Sequence, residues 1–512
     1  MAKLERTKNT FRNIVFGVIL RAYQLVVPFF IRTAMLYFIG VQYLGLNSLF
    51  TSVLQVLNLA ELGVGSAMIY CMYQPIAQDD TKTICALMKL YRAYYRIIGL
   101  VIVVIGSILL PFIPYLISGD VPSDINVYIL YALNLSATVL SYWLFAYKNS
   151  ILIAFQRNDI SMKVSLMTST IQYALQLLVL WLFKSYYWFV AVLLLTQIAT
   201  NIITAFVADT LYPDYRPEGD VDKESIQIIN KRTKDLFTSK IGMVIYDSAD
   251  TIVISAFMGL SVLAEYQNYF YVLTAINGFI NVIFSACTAG VGNSLLVESK
   301  EKNYNDFNKL TFIICWTAGF CSVCLLCLYQ PFMEIWVGKE LMLPFSLVCC
   351  FVVYFFLKQI NSLFTLYKDA SGIWHEDRFR PLLAALTNLI LNLISVRFIG
   401  LYGILLSTVL AILCVGIPWL LHNLFHIIFE PHHLKPYLKK MTLYFLVTAL
   451  IVIITYQMVV HINMGLIPTL VIRSAVCLIV PNTIYFLIFR KTDEFKQSVL
   501  LFRNITKKQN LS

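Results

Sequence analysis

The sequence predicts an all-α polytopic membrane protein with about 14 transmembrane helices, on three observations. The chain of 512 residues is 59% hydrophobic and only 13% charged, roughly half the charged share of a soluble domain. Apolar runs of about 20 residues, each long enough to cross the hydrocarbon core, recur along its whole length. The basic residues are strongly one-sided. Spans fall near 13–38, 46–73, 95–117, 126–147, 164–183, 186–208, 239–258, 263–290, 310–329, 342–367, 381–396, 403–426, 441–460 and 466–489. Only Lys184, Lys339 and Arg397 then lie in the loops of one side, and Arg21, Arg32, Lys358 and Arg473 within spans. The rest of the 39 basic residues occupy the termini and the opposite loops. The positive-inside rule places those termini and loops in the cytoplasm. The net charge of +11 therefore reports topology, with the lipid bilayer as partner and no nucleic acid.

The first run is of full span length and lacks a small-residue cleavage site, so it is expected to stay as helix 1. Reading every third or fourth residue gives Asn13, Gly17, Arg21, Gln24, Pro28 and Arg32, one helix face. The two arginines lie three turns apart, roughly 16 Å along the axis. A guanidinium facing lipid costs ~2.5 kcal/mol or more, so these side chains are expected to face protein or a wet cavity.

Span 2 carries Asn47, Thr51, Gln55, Asn58 and Glu61 at helical spacing, then Gly63, Gly65, Ser66 and Ala67, which allow close approach of a neighbouring helix. The segment 79–96 alternates charged and apolar residues and reads as an amphipathic helix on the cytoplasmic surface, or else as the solvated start of span 3. Span 5 holds Ser161, Ser165, Thr168, Gln172 and Gln176 on one face. Segment 209–238, with two prolines and mixed charge, reads as a cytoplasmic linker.

Beyond the linker the pattern returns. Gly40-Val41-Gln42-Tyr43-Leu44 is answered by Gly259-Leu260-Ser261-Val262-Leu263, and Gly63-Val64-Gly65 by Gly290-Val291-Gly292. Pro111-Phe112 returns as Pro331-Phe332, Gly119 as Gly338, and Tyr147-Lys148-Asn149 as Tyr367-Lys368-Asp369. An ordered series at an offset of about 220 residues indicates an internal repeat. Six spans per copy preserve orientation, so two six-helix lobes related by a pseudo-two-fold along the membrane normal are expected, plus a C-terminal helix pair. The expected domains are an N-lobe at 1–208, the linker at 209–238, a C-lobe at 239–428, helices 13 and 14 at 429–490 and a cytoplasmic tail at 491–512.

Span 7 carries Lys240, Asp247 and Asp250, span 8 Asn277 and Asn281, and span 10 Lys358 and Asn361. With spans 1 and 2 these faces would enclose a polar cavity opened to alternate sides by rocking of the lobes. Intramembrane ions are expensive, which directs Arg21, Arg32, Glu61, Asp247, Asp250 and Lys358 to substrate or coupling roles; the alternative is structural pairing, such as Arg21 with Glu61 or Lys358 with Asp250. Arg473 lies near a span end and is placed to snorkel. Cys321, Cys324 and Cys327 have no interleaved His or carboxylate and read as small apolar residues. His432 and His433 lack metal-ligand partners, so no cofactor or metal is expected. Lys439, Lys440, Lys507 and Lys508 suit anionic lipid. No phosphate-binding Walker loop appears, and no enzyme activity is expected.

The stretches LAELGVGSAMIYCMYQPIAQDD, QPFMEIWVG and SGIWHEDRFRPLLAALTNLILNLISVRFIGLYGILLST, with the basic N-terminus, resemble polysaccharide flippases (O-antigen and capsule type, Wzx-like) of the multidrug/oligosaccharidyl-lipid/polysaccharide exporter superfamily. That resemblance implies alternating-access transfer of undecaprenyl-pyrophosphate-linked oligosaccharide to the outer leaflet of the bacterial cytoplasmic membrane. It implies polymerase or other assembly partners there. It assigns Arg21 and Arg32 to the pyrophosphate, and the polar helix faces read above add Gln24, Gln55, Asn58, Asn277, Asn281 and Lys358 as expected substrate contacts. Relatives commonly carry Asp at the position of Glu61, and the acids Glu61, Asp247 and Asp250 leave room for H+ or Na+ coupling. The same acids would suit a drug or organic-cation antiporter of that superfamily.

Overall fold

The computed structural model describes residues 6–61, 63–462 and 464–509, which are almost wholly helical and contain no strand. The first residues of the basic N-terminus (1–5) and the last of the tail (510–512) lie outside the described residues. The chain divides into two compact units, Met1–Ala264 and Glu265–Ser512.

The first unit contains α1 (Arg6–Phe38), α2 (Val41–Leu57), α3 (Val64–Ala77), α4 (Thr81–Leu109), α5 (Val127–Trp143), α6 (Asn149–Ala154), α7 (Asn158–Phe183), α8 (Tyr186–Leu211) and α9 (Lys223–Met258). The helix starts follow from local chemistry. Asp80 accepts from Thr83 N–H at 3.1 Å, Asn126 from Tyr128 N–H at 3.0 Å, and Asp222 from Ser225 N–H at 2.8 Å, each satisfying a first-turn donor. Leu46, Leu49, Phe50, Met68, Met72, Ile84 and Tyr131 are fully buried and form the unit's core. At Gly45 the backbone of α2 comes so close that an added Cβ would lie 2.2 Å from the Leu260 carbonyl oxygen.

The second unit contains most of α10 (Leu260–Val297), then α11 (Lys300–Val337), α12 (Phe345–Ser371), α13 (Arg380–Ile399), α14 (Leu401–Ala411), α15 (Ile417–Asn423), α16 (Leu434–Val460), α17 (Leu466–Phe489) and α18 (Asp493–Gln509). Phe307 anchors its core, with ring centroids 4.7 Å from Tyr367 and 4.9 Å from both Phe429 and Tyr437. The C-terminal pair α16 and α17 packs on α11. Tyr485 reaches Thr448 at 2.6 Å and fills the space over Gly319, and Trp316 donates to Asn482 at 2.8 Å. Phe495 of α18 stacks on Trp316 at 5.9 Å.

Twelve helices among the described residues are long and apolar enough to cross a membrane, or thirteen if α5 and Ala146–Ala154, bent by 47°, form one span. The protein is a multi-pass membrane protein. The span expected at 46–73 is instead two shorter helices: α2 ends at Leu57, Asn58–Glu61 forms a tight 3-10 turn, and α3 starts after Gly63 at φ +91°. The segment 79–96 is the beginning of the continuous α4, as in the second of the two sequence readings. The linker contacts its polar side, through Lys89 to Asp220 at 2.8 Å and Tyr94 to Asn230 at 2.9 Å.

Local conformation recurs with the sequence repeat. Gly40 and Gly259 take φ of +107° and +90°, and Gly119 and Gly338 +78° and +81°, a region open to glycine. Gly63 and Gly290 part company, because α10 runs unbroken through Gly290 where span 2 breaks.

Candidate functional site

In the first unit, α1 packs along α7. Asn13 donates to the Gln156 carbonyl at 3.0 Å and accepts from Asp159 N–H at 2.7 Å, while Tyr23 donates to Thr170 at 2.9 Å. A Cβ at Gly17 would sit 3.6 Å from Met162 Cε. The face read from sequence is thus divided. Its first turn is a docking surface, whereas Arg21 and Gln24 further along are exposed and Arg32 is half-buried. Of the exposed apolar residues of α1, Ile19, Val26 and Phe30 stand roughly 140–180° around the helix from Arg21 at 100° per residue, whereas Ile14 and Val18 lie within roughly 20–60° of it. Arg21 therefore stands on a mixed flank, with Gln24 and Arg32 but also the exposed Ile14 and Val18 beside it, and it forms no ion pair among the described residues.

Glu61 lies at the break in span 2. Tyr95 donates to its Oε1 at 3.2 Å, the Gly65 N–H bonds the same carboxylate, and Lys240 of α9 is near enough to act on it electrostatically. Tyr91 in turn donates to Tyr95 at 2.6 Å, and Tyr142 donates to Asn58 Oδ1 at 3.2 Å while its ring meets Tyr95 at 5.4 Å. Gly65 makes this possible: a Cβ there would lie 2.8 Å from the Tyr91 hydroxyl and 3.1 Å from Glu61 Oε1. The pairing of Glu61 with Arg21 is not formed. Asn58 and Glu61 are brought into one hydroxyl-rich cluster that can hold a proton, and Tyr91, Tyr95 and Tyr142 were not singled out by sequence. Tyr91 and Tyr95, four residues apart on the amphipathic stretch, were the available signal.

Gln55 is half-buried one turn before Asn58. On α9, Asp247 is exposed and Asp250 half-buried, on either side of the buried Ser248 and Ala249.

In the second unit, Asn277 accepts a hydrogen bond from Gln359, a buried side chain that sequence reading passed over, next to the half-buried Lys358. Asn281 is exposed. Asn388 donates to Thr408 at 2.9 Å and Asn392 to Asn388 at 3.3 Å, which makes these span 11 residues helix glue. Arg473 snorkels no further than the end of α16, where it donates to the Ile462 carbonyl at 3.0 Å.

Both units also seal a charged loop between their fourth and fifth spans. In the first, Asp159, 0% exposed, meets Arg157 at 3.0 Å and Lys163 at 3.2 Å, and Lys148 pairs with Asp209. In the second, Asp377 is gripped by Arg380 at 2.6 and 2.9 Å and meets Lys368 at 3.6 Å, whose ammonium lies over the Trp374 ring. Those ions are internally matched and hold helices in place.

The profile of a family described as "Polysaccharide biosynthesis protein" matches residues 11–288, just over half the chain. No curated protein sequence matches. Among solved structures the chain is similar to the lipid II flippase MurJ in an inward closed conformation, at 15% identity and a TM-score of 0.63, over 93% of this chain and 99% of that one. It is similar to a multidrug resistance MATE family transporter of the MOP superfamily in an inward-facing conformation, at 15% identity and 0.61, over 82% and 99%. An outward-facing MATE family transporter gives 15% and 0.53, over 82% and 95%. At these identities the likeness establishes a shared fold.

Proposed function

Because the chain belongs to the polysaccharide biosynthesis protein family, we propose that it is a flippase carrying undecaprenyl-pyrophosphate-linked oligosaccharide from the cytoplasmic to the outer leaflet by alternating access. It is a carrier without a chemical step. The observation that supports this most is Arg21, a guanidinium exposed on a membrane helix and without a carboxylate partner among the described residues. A permanently charged planar fork suits a diphosphate, which it can bind bidentately. Arg32 lies on the same flank and supplies the second contact. Gln24, Gln55, Asn58, Asn277, Asn281 and Lys358 offer amide and ammonium donors for sugar hydroxyls and acids. Basic residues at the termini put both ends in the cytoplasm of a bacterial cell.

Coupling is assigned to Glu61, Asp247 and Asp250. At Glu61 the half-buried carboxyl can take up a proton and then itself donate to a neighbouring hydroxyl, so H+ is the coupling ion proposed in preference to Na+. The exposed carboxylate of Asp247 favours a second reading, a MATE-like drug or organic-cation antiporter. Growth assays separate the two. In a host whose surface glycan depends on this chain, Arg21→Ala and Arg32→Ala should abolish glycan display at equal protein level. Normal display in both, with resistance to cationic dyes that depends on Asp247, would replace the first reading by the second.

A further inference from the structure

Two histidines of the twelfth span take no part in the reading above. His422 lies in α15 and His426 in the widened π turn that follows it, Leu424–Ile428. There the backbone ladder reaches across five residues, Phe429 N–H meeting the Leu424 carbonyl at 2.9 Å. The His426 imidazole folds back one turn, its Nδ1 at 2.9 Å from the His422 carbonyl oxygen. A carbonyl can only accept, so Nδ1 carries the proton and Nε2 of His426 keeps its lone pair. The two rings lie 4.1 Å apart between centroids, tilted by 33°, and both side chains are exposed.

We propose that His422 and His426 chelate a divalent transition-metal ion of the Cu2+ or Zn2+ class. A separation of four residues stacks both imidazoles on one helix face, the spacing at which two ring nitrogens meet one ion. The bond from His426 Nδ1 to a backbone carbonyl is the kind of outer contact that fixes the tautomer and orientation of a metal-binding histidine. Among the described residues no group of three or more His, Cys, Asp or Glu side chains is gathered to hold a metal. The chelate is therefore open, with water completing the shell and Cu2+ bound more tightly than Zn2+. An ion there would pin the turn that joins α15 to its π stretch and resist any change in that span's ladder. This site is independent of the flippase reading.

The test is calorimetric titration of the full-length protein in detergent with CuSO4 and, separately, ZnCl2. One equivalent should bind, Cu2+ the tighter. His422→Phe, which keeps the ring packing, and His426→Phe should each weaken Zn2+ binding by about tenfold or more. A His432→Ala/His433→Ala double variant should bind as the wild type does. Unchanged affinity in either phenylalanine variant, or binding lost with His432 and His433, overturns the proposal.

Discussion

Asn13 accepts a hydrogen bond from the backbone N–H of Asp159 at 2.7 Å, so the first helix is held at the point where a fully buried carboxylate begins the seventh. Removing the carboxylate would leave Arg157, 27% exposed, and Lys163, 46% exposed, without their shared partner. Asp159→Ala should lower stability by roughly 2–4 kcal/mol and Asn13→Ala by about 1 kcal/mol, both read as the thermal midpoint in detergent. Equal midpoints for the wild type and Asp159→Ala would remove the docking role.

Glu61 and its tyrosines give a prediction about coupling. Glu61→Gln keeps the shape and the acceptor oxygen facing Tyr95 but cannot take up a proton. Proton uptake into proteoliposomes driven by substrate should disappear in Glu61→Gln, and Tyr95→Phe should shift its pH dependence while retaining uptake. Wild-type uptake in Glu61→Gln would move the coupling site to Asp247 or Asp250.

The same cluster explains a glycine. Gly65→Ala would bring a methyl to 2.8 Å from the Tyr91 hydroxyl, an overpacking expected to cost roughly 1–3 kcal/mol. Tyr91→Phe removes the atom in the way, so the double variant Gly65→Ala/Tyr91→Phe should recover part of the loss. A purely additive double variant would show that the close approach is not what excludes a side chain at Gly65.

Outside the spans, Asp80 and Asp222 cap α4 and α9. Hydrogen bonds from the Thr83 hydroxyl and N–H hold the Asp80 carboxyl below the usual carboxylate range, and those from the Ser225 N–H and hydroxyl do so for Asp222. A lowered folded pKa means that the capping contribution is complete above the ordinary carboxylate pKa and is lost as pH falls through the lowered value. Amide exchange in the first turns of both helices, corrected for intrinsic rates, should therefore speed up on acidification. In Asp80→Asn and Asp222→Asn this acid-dependent step should be absent.

Much of the fold was legible because membrane spans are written in long apolar runs and because Asp, Asn and Ser mark helix starts. Asp80, Asn126 and Asp222 carry that chemistry in the structure, although the sequence reading above did not single them out. The break after Leu57 was hidden, since Asn58–Glu61 keeps helical spacing in sequence while the chain tightens to let the Gly65 N–H reach a carboxylate. For the site, sequence ranked residues by the expense of burying a charge, which singled out Arg21 and Glu61 as candidates. It passed over Tyr91, Tyr95, Tyr142 and Gln359, whose neutral side chains gain significance only from the partner across the helix gap. Asn13 misled in the other direction, a polar residue on the expected face that serves docking.

The central claim is that the Arg21 flank carries a diphosphate-linked sugar across the bilayer. The direct measurement is transfer of fluorescent undecaprenyl-diphosphate-linked disaccharide between leaflets of vesicles containing the purified protein, read by quenching from outside. Wild-type protein should bring inner-leaflet label to the outside, and Arg21→Gln should slow that transfer by about tenfold or more, as expected when a charge-assisted contact of ~1.5–3 kcal/mol is lost. Transfer no faster than in protein-free vesicles, or equal rates for wild type and Arg21→Gln, would contradict the account.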